Sequence, residues 1–167
     1  MAQAVVTMIY RFEYQTFPEG NTERKKRPIV RLTLRCGKES LTTDGIIDSG
    51  SDKTISHEVF ARDIGIVFES KKLREESEIK TGIPFDHEII GLNNQPILVY
   101  VVPVELEIAG KKLDVPVHWI KKEQPFTPKI DFPFILGQDS IFELFDVHFS
   151  ERQRVFFLND DVFAPKF

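Results

Sequence analysis

The chain has 167 residues, a length that suits one domain and lets a core form without disulfide or metal staples. Its net charge of −4 argues against a nucleic-acid partner, and its 41% hydrophobic content, with 15 phenylalanines, argues against disorder. A lone cysteine, Cys36, rules out an intramolecular disulfide and favours a reducing compartment, and no apolar run is long enough to be a membrane helix.

Ala4 to Tyr10 is a short apolar run with no cationic segment before it, so it does not read as a signal peptide. The default expectation is a cytoplasmic protein with no membrane partner. The run Arg24-Lys25-Lys26-Arg27 sits between Asn21 and Pro28 and reads as a solvated loop. Ile29 to Arg35 alternates as a strand does, Gly37-Lys38 supplies a turn, and Leu41 to Ile47 returns, predicting a β-hairpin.

The second hairpin strand runs into Asp48-Ser49-Gly50-Ser51. A carboxylate at the end of a buried strand is costly unless paired or hydrogen-bonded, and the small residues offer hydroxyls and a freely turning backbone. Two readings are open at this point: an Asx-turn that only satisfies backbone N–H groups, or a presented carboxylate that does chemistry.

Ser56 is expected to cap a helix from His57 to about Ile64, with Glu58 in its first turn. Glu69 to Glu78 is highly charged and reads as helix or loop. Ile89 to Gln95, with Gly91, Leu92, Asn93 and Asn94, reads as a hairpin tip. Ile97 to Ile108 is a long strand whose Pro103 places it at an edge or a bulge; Ala109-Gly110-Lys111 turns into a strand from Leu113 to Ile120. Lys121 to Asp131 reads as loop. Phe134-Ile135-Leu136-Gly137-Gln138-Asp139 is a second apolar strand ending in glycine, 86 residues after Asp48. Ser140 to Glu143 fits a capping box opening a short helix through Phe145, and Arg154 to Leu158 is the last clear strand. Many short strands with few helices predict an all-β, barrel-like domain.

The pair I-I-D-S-G-S-D and F-I-L-G-Q-D resembles the retropepsin family of single-domain aspartic peptidases, most closely its small prokaryotic members. The order of elements agrees over about residues 29–158, inside a single domain expected to span 1–167. The resemblance implies a small closed β-barrel of the acid-protease type with one or two short helices, active as a homodimer and cleaving a peptide or protein substrate without metal or other cofactor. It implies that Asp48 is the catalytic carboxylate, one from each subunit, with Ser49, Gly50 and Ser51 supporting the loop. It assigns Asp52 to substrate main chain, Gly91, Leu92 and Asn93 to a substrate-covering flap, and Gly137, Gln138 and Asp139 to the second loop. Gln138 departs from the arginine common in the family, so a charged fork onto Asp52 is replaced by at most a neutral hydrogen bond.

Two other classes remain open from sequence. One is a catalytically inactive dimerisation or peptide-binding module on the same fold. The other is phosphate chemistry at the Asp48 to Thr54 string, which the short, strand-rich chain disfavours. The four histidines show no metal spacing, and no serine-hydrolase elbow is present.

Overall fold

The computed structural model describes residues 8–16, 26–91, 94–122 and 133–160. The expected flap residues Leu92 and Asn93, Arg24 and Lys25 of the basic run, and most of the loop after Lys122 lie outside them. The strands are β1 (Ile9–Glu13), β2 (Gln15–Thr16), β3 (Lys26–Arg27), β4 (Ile29–Cys36), β5 (Glu39–Ile47), β6 (Ile55–His57), β7 (Asp86–Ile90), β8 (Pro96–Ile108), β9 (Lys111–Ile120), β10 (Phe134–Leu136), β11 (Asp146–Ser150) and β12 (Val155–Asn159). Three helices interrupt them: α1 (Glu58–Arg62), α2 (Lys71–Thr81) and α3 (Ile141–Leu144).

The predicted hairpin is β4–β5, with Leu34 opposite Leu41 and Gly37 at φ 61 in its two-residue turn. Alternation places Val30, Leu32 and Leu34 in the core while Arg31 and Arg35 face outward. β4, β5, β10, β6, β9 and β8 follow one another in hydrogen-bonded order, and β8 returns to β4 to close a six-stranded barrel. The all-β closed barrel expected from sequence is the observed architecture. Its interior holds Leu32, Leu34, Leu106, Trp119, Phe134 and Leu136, with Trp119 edge-on to Phe134 at 5.7 Å.

β8 is long enough to serve three neighbours. All of β9 pairs along one side; on the other, β7 pairs as far as Tyr100 and β4 begins at Glu105. Pro103 falls in the gap between them and lies opposite Pro116. Neither proline can donate, so the two form a non-hydrogen-bonded pair, and the donor that Pro103 lacks would have pointed into the gap.

A second sheet, β1–β12–β11, closes the described chain. Tyr10 and Phe12 turn inward, and Phe12 stacks on Phe156 at 5.0 Å. Asp160, almost wholly buried, accepts from the Met8 N–H at 2.6 Å and from Lys111 Nζ at 2.8 Å, tying the start of β1 and the end of β12 to the β8–β9 turn.

Two helix-start expectations are corrected. Ser56 does not cap a helix: it lies within β6, where its hydroxyl donates to the Pro133 carbonyl at 2.6 Å, and α1 runs only from Glu58 to Arg62 behind His57. Ser140 precedes α3 but makes no side-chain cap; its Oγ donates instead to the Gly137 carbonyl at 3.1 Å. In both cases a tertiary partner captures the hydroxyl that would have capped. The charged segment left open in the sequence is helical: α2 is capped by Ser70, whose Oγ accepts from Leu73 N at 3.3 Å, and closed by Gly82 at φ 66.

Candidate active site

Two strand ends build the site. β5 and β10 run parallel, with Ile47 beside Leu136, so Asp48 and Gly137 leave the barrel side by side. The Asp48 N–H still donates to the Leu136 carbonyl at 3.1 Å, which fixes where the carboxylate begins. Beyond it the chain turns: Ser51 N–H donates to the Asp48 carbonyl at 3.2 Å, and Gly50 N–H donates to Asp48 Oδ1 at 2.9 Å. The Asx-turn expected as the bland reading is therefore real, and it leaves Asp48 exposed with Oδ1 oriented by a backbone donor.

The two loops are locked together. Gln138 N–H donates to the Ser51 carbonyl at 2.9 Å, and Gln138 Nε2 donates to the Ser49 carbonyl at 3.1 Å. Gln138 thus braces the Asp48 loop directly by neutral hydrogen bonds. Ser51 Oγ donates to the Lys53 carbonyl at 2.7 Å. Gly137 lies against the Lys53 backbone so closely that a Cβ there would overlap its carbonyl and its nitrogen, so only glycine fits.

Beneath these loops lies a buried polar knot that sequence reasoning did not assemble. Thr54, fully buried, donates through N–H and Oγ1 to Asp139 Oδ1, at 2.7 and 2.8 Å. Thr54 Oγ1 also lies against Ser140 Oγ and accepts from Gly137 N–H at 3.3 Å. Asp139 Oδ2 is buried with no hydrogen-bond partner among the described residues. Burial pushes the Asp139 carboxyl above its ordinary value, against the pull of the Thr54 hydrogen bonds and of Lys53. His118 of β9, 1% exposed, donates its backbone N–H to the Thr54 carbonyl at 2.9 Å. Burial and then the Lys53 charge push its imidazole down to about 4. The signal for Asp139 was its place one residue past Gln138; His118 gave none, since a lone histidine in a strand reads equally well as solvent-facing.

β7 and β8 form a hairpin arm whose tip holds Gly91. Gly91 N–H donates to the Gln95 carbonyl and Asn94 N–H to the Gly91 carbonyl, both at 3.0 Å. Asn94 adopts φ 54, taking the left-handed place for which asparagine is suited. One face of the arm, with Ile89, Ile97 and Val99, packs in a small cluster with Val101, Ile120 and Ile55, the residue seven beyond Asp48. The opposite face leaves Ile90 70% exposed at the tip. Asp52 is exposed next to the Asp48 loop. Among the described residues no three side chains gather as metal ligands, and no helix is long and apolar enough to cross a membrane.

Neither a protein-family model nor a curated protein matches the sequence. Solved structures do match the fold. A retropepsin-like aspartic protease from Rickettsia conorii superposes with a TM-score of 0.55 at 10% identity, over 92% of this chain and 93% of that one. EIAV protease, complexed with an inhibitor, gives 0.45 at 14% identity over 75% and 94%, respectively. The retroviral protease-like domain of Ddi1 from Leishmania major gives 0.44 at 12% identity over 76% and 85%. The chain has the retropepsin-like fold, as the resemblance of its two motifs implied.

Proposed function

We propose that the chain is an aspartic endopeptidase that works as a symmetric homodimer, with Asp48 of each subunit as its catalytic carboxylate. The observation that carries this reading is the presentation of Asp48. It is exposed at a strand end, aligned by Gly50, in a loop bonded at three points to Leu136 and Gln138 of the neighbouring strand end. A surface carboxylate with no task does not need a buried polar knot beneath it.

In the proposed dimer two such carboxylates meet on the two-fold axis. Like charges roughly 3 Å apart resist double ionisation, so the pair shares one proton. The ionised partner takes a proton from a water as it attacks the scissile carbonyl; the protonated partner donates to the carbonyl oxygen. The two titrations belong to the pair. Ser49 would brace the opposite subunit's loop, Ser51 holds its own loop, and Asp52 would receive substrate main chain. The β7–β8 arm, with Gly91, Leu92 and Asn93, would cover the bound peptide. The acidic net charge fits a protein substrate rather than nucleic acid, and the single thiol fits the cytoplasm.

The test is cleavage of a broad peptide library between about pH 3 and 7, comparing the parent with Asp48→Asn, beside sedimentation of both. Cleavage by the parent alone supports the peptidase, and the cut sites reveal its preference. A stable dimer in which neither chain cuts turns the reading to a peptide-binding or dimerisation module on the same fold.

A further inference from the structure

β9 ends at Ile120, opposite Val99 of β8. Outward from there, residues 96–98 of β8 pair only with β7, so the arm projects from the barrel at this point. The next residue, Lys121, is the last to hold it. Its N–H donates to the Leu98 carbonyl at 3.1 Å, its Nζ bonds Asp86 Oδ1, and the same ammonium lies 4.4 Å from the centre of the Tyr100 ring. Asp86 and Tyr100 face each other across the first register of the hairpin. One cation therefore clasps both strands of the arm at its root.

The opposite side of that root is gripped by aromatic rings. Tyr100 stacks on Phe68 at 4.4 Å and meets Phe85 at 5.1 Å. Phe85, fully buried, donates its N–H to Glu78 Oε1 of α2 at 3.1 Å, lends its carbonyl to Val101 N–H at 2.9 Å, and carries the Arg74 guanidinium 5.4 Å over its ring. α2 itself is mostly charged and buries only Ser77, so these contacts, rather than an apolar stripe, hold it against the arm.

We infer that Lys121, through Asp86 and the face of Tyr100, latches the root of the β7–β8 arm and sets how readily the arm opens over the Asp48 loop. Lys121 is a positioning residue, and as a determinant of cleavage it rests on the peptidase reading above. The Lys121 side chain is 17% exposed, so its attraction to the ring is less screened than that of a surface lysine.

The latch is tested first without cleavage, by amide hydrogen exchange on the full chain carrying Asp48→Asn. Lys121→Met, which keeps length and loses charge, should speed exchange over residues 86–100 roughly three- to tenfold, with the β4–β5 hairpin unchanged; Lys121→Arg should restore the parental rate. Unchanged exchange in Lys121→Met overturns the latch, and so does equal acceleration in arm and hairpin, which marks Lys121 as a general stability residue. In the chain with Asp48 intact, Lys121→Met should raise KM several-fold and leave kcat near parental; a fall in kcat alone also overturns it. If no peptide is cut by any chain, the peptidase reading fails while the exchange result still decides the latch.

Discussion

Thr54 aims its backbone N–H and its hydroxyl at one oxygen, Oδ1 of Asp139, and leaves Oδ2 buried with no partner among the described residues. The arrangement serves half a carboxylate. Because burial raises the Asp139 pKa, the fold favours the protonated acid, and the parent loses stability as pH rises from the ordinary carboxylate value through the raised one. Asp139→Asn keeps an acceptor for Thr54 and carries no charge. In urea titrations the difference between variant and parent should move in the variant's favour from pH 4 to pH 7. A constant difference across that range would show that Asp139 is not held in this way.

His118 acts in the opposite sense. Its folded value of about 4 lies below the ordinary 6.5, so its stabilising contribution is full above the ordinary value and is lost as pH falls toward 4. The loss amounts to about 3 kcal/mol. His118→Leu, on the face shared with Ile120 and Val101, should remove that part of the acid destabilisation, read as a shallower fall of the urea midpoint between pH 7.5 and 4.

Gly137→Ala should cost about 3 kcal/mol or more, because the methyl overlaps peptide atoms of Lys53 that are pinned by the Ser51 hydroxyl and cannot yield cheaply. A melting temperature lowered by roughly 6–12 °C is the expected readout.

Ala109 stands at φ 49 and Gly110 at φ 78 in the two-residue turn between β8 and β9. Both angles are those of a type I′ turn, which favours asparagine first and glycine second. Ala109→Asn should stabilise the chain by about 0.5–1 kcal/mol, seen as a melting temperature higher by about 1–4 °C.

Gln138→Ala removes an exposed, neutral hydrogen bond to Ser49 and should change stability by less than about 1 kcal/mol. If the Asp48 loop is catalytic, the same change should lower kcat well beyond that margin. Equal, small effects on stability and turnover would show that the brace has no part in the chemistry.

What could be read from sequence was local. The β4–β5 hairpin declares itself by alternation and by Gly37, and Asp48 by its place at a strand end. The readings that failed were those decided by distant partners. Ser56 looks like a cap until the Pro133 carbonyl claims its hydroxyl, and Ser140 looks like one until the Gly137 carbonyl does. β1 went unassigned although Tyr10 and Phe12 alternate, because its partner β12 lies at the far end of the chain. The knot of Thr54, Asp139 and His118 joins three elements, and no spacing along the chain announces it.

The gap in β8 has a bearing on how the molecule behaves in a crowded solution. A bare strand edge is a template on which another chain can polymerise, since its donors and acceptors alternate in the pattern an incoming strand needs. In the stretch between β7 and β4, Val101 has already given its N–H to Phe85 and Pro103 has none to give. That stretch of β8 therefore offers a foreign strand no backbone donor on which to zip, and the gap between β7 and β4 does not invite fibres.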